Sequence, residues 1–576
     1  MNNYTLNARL TCGGNAIGTS DFENEWFDLA LEQTDTTLKA VLTAKKDLVL
    51  NDFMLTTGRT FRDNDLFFLN GFQSWSTTEE VGRNDVTEGL PKVVSFHKFV
   101  KTQAGQMGDY AYTEYGVPGC FHSFTFTYFR KKGSHFIELW GSRADRNGFT
   151  IFDVDMPRGR FTLRREVDGT ALKAGDTFLM YDLLVCEAEY EQAFDTYFFD
   201  FLGVKKPRLE RLAGYTSWYN YFSKINEEII YRDLNGLDFA QEETQIFQID
   251  DGYQEHTGDW LITDKEKFPH GMKACADAIH AKGYKAGIWL APFCAATKSK
   301  VAKEHPDWFI KNEKGRRILA HFGWGFAYAF DIYNPGAREY IKHFFDVILN
   351  EWGYDLVKLD FLYSICEYPR LGKNRGQLMA DGIDLLREAC GDKLILGCGA
   401  PLGSCFGIFD ACRIGPDANK VYSGDLLNKL ALTREIPSSR HAMVNTVFRR
   451  CLDGRAFAND PDVFFLREDN LEYSVTQKLL LAKLNDIMGS IIFMSDNAGD
   501  YDPKAAEYLK YFFAEKDYSV QMAEYETADI IRIEYTENGT AKTLRPGFPG
   551  WKRRIAADRC AGWPPSDPSY TRQYRR

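Results

Sequence analysis

Residues 355–363 read Asp-Leu-Val-Lys-Leu-Asp-Phe-Leu-Tyr, an apolar strand that carries a lysine and a carboxylate. Side chains alternate across a strand, so Lys358 and Asp360 share one face and Val357 and Leu359 the other. In a parallel barrel Asp360 would sit at the carboxyl end of its strand, where such enzymes keep their reacting groups. A second carboxylate, Asp417, follows a Gly-Pro turn in Arg-Ile-Gly-Pro-Asp at 413–417. A retaining glycosidase uses one carboxylate to attack and another, about 5 to 5.5 Å away, to give and take a proton. Asp360 is the better nucleophile, because Lys358 on the same face favours its ionised form. Asp417, on a loop, suits the acid.

The other strand ends are polar in the same sense. A barrel would turn Asp250, Asp251, Trp289 and Arg413 toward the same cleft as Lys358, Asp360 and Asp417. Carboxylates accept hydrogen bonds from hydroxyl groups and an indole covers the apolar face of a pyranose, so a saccharide is the partner that this set fits. Asp250 and Asp251 also suggest a divalent cation, but no third ligand of the right type lies nearby, so neither metal nor cofactor is expected. Asp460, Asp462 and Asp496 read as turn residues beside the site, and His321 and Trp324 as part of a loop over it.

The elements that must position these residues fall into blocks. Residues 1–187 show short alternating runs, such as 37–50 and 121–129, between turn signals, which predicts an N-terminal β-sandwich. Residues 188–210 read as a helical linker. From 211 to 501, eight apolar strands alternate with amphipathic helices, at 213–219, 245–250, 284–291, 354–360, 393–398, 411–415, 455–459 and 489–495. Eight such units favour a (β/α)₈ barrel of the TIM type over an open doubly wound sheet. In the helix at 336–353, Ile341, Phe344, Phe345, Ile348 and Trp352 mark the buried face. Residues 502–544 predict one helix and a short C-terminal β-domain with a hairpin at Asn538-Gly539. Residues 545–576, rich in arginine and proline, read as a disordered or aberrant basic tail.

Composition narrows the partners. A chain of 576 residues, 44% hydrophobic and 26% charged, is expected to form several globular domains. A net charge of -11 argues against nucleic acid. The N-terminal residues lack the pattern of a signal peptide, and no apolar run is long enough to span a membrane. Cysteines number 12, and their spacing fits no zinc motif. Reduced thiols in a cytoplasmic protein are the reading that follows.

Four motifs then point to a family. Phe-Gln-Ile-Asp-Asp-Gly-Tyr-Gln (247–254), Gly-Ile-Trp-Leu-Ala-Pro (287–292), Leu-Val-Lys-Leu-Asp-Phe (356–361) and Arg-Ile-Gly-Pro-Asp (413–417) occur in order at successive strands. Together they resemble glycoside hydrolase family 36, the microbial α-galactosidases. The resemblance implies a retaining exo-glycosidase with Asp360 as nucleophile and Asp417 as acid/base. It further implies that Asp250 and Asp251 bind the 4- and 6-hydroxyls of a terminal galactose, and that Lys358 and Arg413 hold ring hydroxyls and the nucleophile. Trp289 would line the pocket, Cys398 would lie near the sugar 2-position, and Trp75, in Asn-Gly-Phe-Gln-Ser-Trp (70–75), would reach over the site from the N-terminal domain.

At 397–402 the chain reads Gly-Cys-Gly-Ala-Pro-Leu, where the oligosaccharide-processing tetramers of the family carry Cys-Ser-Gly-Gly-Gly. That difference places it nearer the shorter branch and leaves a homo-oligomer open. The rival activities are an α-N-acetylgalactosaminidase or a transglycosylase on the same fold. The rival of another class is a non-catalytic sugar-binding protein.

Overall fold

The computed structural model describes residues 4–87, 89, 115–312, 314–321, 323–422 and 437–547. Its N-terminal strands pair into two seven-stranded sheets. Two stretches that read as single alternating runs each divide between those sheets. The first, 37–50, breaks at the charged turn Lys45, Lys46 and Asp47 into strands Thr37–Ala44 and Leu48–Gly58. The second, 121–129, breaks at Thr125, which has φ 69°, into Cys120–Phe124 and Phe126–Lys131. Alternation persists within each piece: Leu38, Ala40, Leu42 and Ala44 are buried in Thr37–Ala44. Phe53, Phe67, Phe129, Trp140 and Phe161 fill one shared core, and each such side chain contributes about 1.5–3 kcal/mol when fully buried.

The segment expected as a helical linker forms an α-helix at Tyr190–Asp195 that continues as a π turn at Thr196–Phe201. Phe194, Tyr197 and Phe198 pack there against Phe126 and Phe406, which ties the N-terminal sheets to the next unit.

All eight expected parallel strands form, most of them trimmed at their ends. They are Leu212–Thr216, Ile246–Ile249, Lys285–Leu290, Leu356–Leu359, Leu394–Gly397, Ala411–Arg413, Ala458–Asp460 and Ile491–Met494. Each of the first six pairs in parallel with the next in sequence, the sixth pairs with the seventh, and the first pairs with the eighth. The seventh is interrupted at Pro461 and Asp462. Its continuation, Val463–Phe464, pairs in parallel with the eighth, and the Ser490 amide donates to the Asn459 carbonyl at 3.1 Å. The sheet therefore curls back toward its own start.

Helices flank most of these strands for local reasons that are visible in the sequence. The helix Pro335–Asp346 starts with Asn334 accepting from the Gly336 and Ala337 amides and with proline in the first turn. It buries Ile341, Phe344 and Phe345, as its periodicity predicts, and finishes in a π turn at Val347–Glu351. Between the fifth and sixth strands there is only a 3₁₀ turn, Leu402–Ser404. That connection instead docks the loop that carries Trp75: the Ser74 amide donates to the Ala400 carbonyl at 3.0 Å.

After helix Pro503–Phe513, the chain forms a three-stranded antiparallel sheet from Tyr518–Thr527, Ile530–Glu537 and Thr540–Leu544. Asn538 and Gly539 turn its second hairpin with φ 49° and 76°, as an Asn-Gly turn between strands requires. Most of the segment read as a basic tail, residues 548–576, lies outside the described residues.

Candidate active site

The fourth strand delivers its two charges to different places. Asp360 sits just past the strand, with its amide donating to the Leu290 carbonyl at 2.8 Å. The next residue, Phe361, turns into the left-handed region at φ 56°, and its amide donates to Asp360 Oδ1 at 2.8 Å. Trp289, from the third strand, donates its indole N–H to Asp360 Oδ2 at 3.1 Å. The nearby Cys398 thiol helps lower the pKa of this carboxyl. Both oxygens are thus oriented, one by backbone and one by an indole.

Lys358 does not pair with Asp360, as the sequence led us to expect. Its Nζ lies 2.9 Å from Asp250 Oδ2 on the second strand, because the lysine stem reaches across the third strand, where Trp289 lies beside it in register. Its field still reaches Asp360. Burial pushes the Asp360 carboxyl above the usual aspartate range, the nearby Lys358 charge pulls it down, and burial outweighs the pull. The same reach across the sheet makes Asp250 a hub. It also accepts from Gln248 Nε2 at 3.0 Å, its Oδ1 receives the Asp251 amide at 2.9 Å, and its own amide donates to Ser217 Oγ.

Asp251 turns the other way. Gln254 Nε2 donates to its Oδ1 at 2.6 Å and Trp324 Nε1 to its Oδ2 at 3.0 Å. Burial raises its carboxyl, and those two hydrogen bonds oppose the rise. Trp324 and His321 come from a small antiparallel sheet between the third and fourth strands, Cys294–Ala296, Leu319–His321 and Ala327–Ala329. His321 packs on Phe361 with ring centroids 4.2 Å apart, and burial pushes its imidazole down to about 4. The loop that was read over the site thus reaches the residue beside Asp360.

Arg413, on the sixth strand, is engaged by Asp417, Asp462 and Tyr219. Its Nη2 lies 2.7 Å from Asp417 Oδ1, 2.7 Å from Asp462 Oδ2 and 2.8 Å from the Tyr219 hydroxyl. None of its ion pairs is with Asp360, so the expected contact with the nucleophile gives way to one with the partner carboxylate. The reason is the Gly415-Pro416 turn, which folds Asp417 back over the strand from which Arg413 projects. Asp417 is also the more open of the two carboxylates, with its side chain 35% exposed. The Ala418 amide donates to Asp462 Oδ2, and burial drives Asp462 up to about 7. The Asp417 charge raises the Asp360 carboxyl, so the two groups share one electrostatic field.

Trp75 arrives from the N-terminal sheets on the loop between strands Asp65–Leu69 and Glu79–Gly82. Its indole meets Phe361 edge-on at 5.3 Å and Tyr363 at 5.9 Å. At Gly399, just past Cys398, φ is 56° and an added Cβ would lie 3.1 Å from the Trp75 ring. The glycine supplies both the turn and the clearance. All nine residues singled out in the sequence are therefore gathered around the carboxyl ends of the second to sixth strands. Of the remaining aspartates, Asp460 lies buried beside Asp462, whose amide it receives at 2.9 Å. Asp496 instead pairs with Arg467 at 2.5 Å.

Reading the sequence missed Tyr219, Gln254 and Phe361. Tyr219 and Gln254 lie just beyond strand ends, where a polar side chain was the available signal. Phe361 gave none, because its left-handed backbone is a tertiary property.

The assembled site has six acidic side chains, Asp250, Asp251, Asp360, Asp417, Asp460 and Asp462, around Lys358 and Arg413. An excess of carboxylates accepts hydroxyl hydrogens and stabilises positive charge developing on a sugar ring. Among the described residues no group of His, Cys, Asp and Glu is arranged to hold a metal ion.

Comparison with known proteins bears on this arrangement. Residues 232–380 match the family model described as Melibiase. Over 127 residues the chain is 32% identical to "A type blood alpha-D-galactosamine galactosaminidase" of Flavonifractor plautii, a match that covers 21% of this chain and 12% of that relative. Over 130 residues it is 29% identical to "Alpha-galactosidase Mel36A" of Lactobacillus acidophilus, covering 21% and 17%. Both matches thus span less than a fifth of the relative's length. An α-galactosidase structure from Thermus thermophilus in complex with stachyose superposes with a TM-score of 0.66 at 25% identity, over 88% of this chain and 99% of that one. The same enzyme with p-nitrophenyl α-D-galactopyranoside gives 0.68 at 24% identity, over 94% and 99%.

Proposed function

We propose that the chain is a family 36 α-galactosidase, a retaining exo-acting enzyme that releases terminal α-linked galactose by double displacement. The observation that carries this reading is the oriented Asp360 carboxylate with a second, more open carboxylate, Asp417, held by Arg413 and near enough for its charge to raise Asp360. In the first step an Asp360 oxygen attacks the anomeric carbon while protonated Asp417 gives its proton to the departing oxygen. In the second, Asp417 takes a proton from water as that water displaces Asp360, so the α configuration is kept. Asp250 and Asp251 accept from hydroxyls at the closed end of the pocket, Lys358 holds Asp250, and Trp289 and Trp75 supply apolar walls. Cys398, just past the fifth strand, would meet the sugar 2-position.

In this reading residues 211–501 form a (β/α)₈ catalytic barrel, 1–187 a β-sandwich and 502–544 a partial C-terminal β-domain. The cysteines of the described residues are all free thiols, which suits a cytoplasmic enzyme.

The test is Asp360→Ala. Turnover of p-nitrophenyl α-galactoside should vanish, and added azide should restore release of nitrophenol with formation of the β-galactosyl azide. A variant that keeps the wild-type rate would overturn the nucleophile assignment, and a wild-type protein without turnover would favour a site that only binds sugar. The galactosaminidase relative favours one second reading, hydrolysis of α-N-acetylgalactosaminides. Comparing kcat/KM on the two nitrophenyl glycosides separates them.

A further inference from the structure

The loop that brings Trp75 to the pocket is gripped by one buried side chain with no assigned role. Arg449 caps the carboxyl end of helix Ser439–Phe448 and is fully buried. Its Nη1 donates to the Ser74 carbonyl at 2.6 Å and its Nη2 to the carbonyls of Gln73 at 3.1 Å and Gly71 at 3.3 Å. Nε donates to Asn70 Oδ1 at 3.4 Å. The fork thus engages four residues of the six that end in Trp75. Nη1 also donates to the Ile414 carbonyl at 2.8 Å, one residue beyond Arg413 and three before Asp417.

The helix joins the two sides of the site in a second way. At its start the Ser438 amide donates to the Asp417 carbonyl at 2.8 Å, and Ser439 Oγ accepts from the Asn419 amide at 3.0 Å. On its side, Asn445 donates to the Ser76 carbonyl at 2.9 Å and accepts from the Thr78 amide at 2.8 Å. Trp75 itself makes no hydrogen bond through its indole nitrogen among the described residues. Its ring is therefore placed by the path of its backbone and by ring packing, and Arg449 sets that path.

We infer that Arg449 is a positioning residue that holds Trp75 over the sugar pocket and fixes this loop against the strand leading to the acid/base carboxylate. The inference rests on the galactosidase reading of the site. Five N–H groups in a planar fork can satisfy converging carbonyls from two chain segments, which a lysine ammonium cannot do at the same span. Arg449→Lys keeps the charge and loses the fork.

The experiment is a double-mutant cycle of Arg449→Lys and Trp75→Ala, read as kcat/KM on p-nitrophenyl α-galactoside alongside thermal unfolding. Arg449→Lys alone should lower kcat/KM by about tenfold to a hundredfold, mostly through KM, as displacement of a positioned group does. In the Trp75→Ala background it should cost less than about a further twofold, because the group it positions is gone. Losses that multiply, or an Arg449→Lys enzyme with wild-type kcat/KM, would overturn the inference. If Arg449→Lys does not fold, Asn445→Ala, which releases Ser76 and Thr78 of the same loop, must show the same non-multiplying pattern with Trp75→Ala, and multiplying losses there are equally fatal. A wild-type enzyme without activity on the galactoside overturns the galactosidase reading instead, and the inference with it.

Discussion

At the residue scale, the central result is a change of partners among the charges. Lys358 neutralises Asp250, Arg413 holds Asp417 and Asp462, and Asp360 is left with an indole, a thiol and a backbone amide. A nucleophile bound by neutral donors keeps its lone pairs available, whereas a tight ion pair would have to be broken before attack. The net upward push on Asp360 carries a pH consequence. As the proposed nucleophile the carboxyl must be ionised to attack, so the acid limb of kcat/KM should lie above the ordinary aspartate value. Because the Lys358 charge lowers the Asp360 pKa, Lys358→Met should move that limb to higher pH as well as weaken sugar binding through Asp250. A pH profile of kcat/KM measures both effects, and a limb that moves to lower pH contradicts the assignment.

At the scale of elements, the C-terminal sheet is fastened to the N-terminal sheets by buried charge. Arg130 donates to both oxygens of Glu80, at 2.6 and 2.5 Å, and lies 3.4 Å from Glu524 on strand Tyr518–Thr527. Glu524 also accepts from the Gly133 amide at 3.0 Å and from Arg532 at 2.9 Å. All three side chains of the Arg130, Glu80 and Glu524 group are under 7% exposed, so removing Arg130 leaves two carboxylates in a dry place without the cation between them. Arg130→Ala should destabilise the protein by on the order of 3 kcal/mol, read as a lower urea midpoint at unchanged slope. A loss within about 0.5 kcal/mol, typical of surface changes, would mean that the network is wetter than its burial implies. Strand Glu79–Gly82, which Glu80 belongs to, continues directly from the Trp75 loop, so this fastening also bears on the site.

For the whole molecule, one hydrophobic core reaches into every unit, beside the separate core between the N-terminal sheets. Phe68, Phe72 and Phe126 of the N-terminal sheets, Phe247, Phe344 and Phe457 around the parallel sheet, and Tyr525 and Ile533 of the C-terminal sheet belong to a single buried cluster. Units that share a core lose their packing together, so urea unfolding should be one transition with coincident midpoints by tryptophan fluorescence and far-ultraviolet circular dichroism. Separate midpoints would show that the N-terminal sheets melt on their own. The pocket depends on the same continuity, since Trp75 belongs to one unit and Asp360 to another.

The sequence by itself determined much of this protein. Eight apolar stretches with helices between them specified a parallel sheet, because a strand buried on both faces must be apolar along its length and must be followed by a crossover. Carboxylates placed just past those strands marked the candidate site, since period-2 alternation and strand ends are local properties. Tertiary structure decided the rest. It divided 37–50 and 121–129 between two sheets, because a run of alternating residues does not say which neighbour it will pair with. It also sent Lys358 to Asp250 and Arg413 to Asp417. A charged side chain chooses its partner across the sheet, by distances that only the closed packing of strands and loops creates.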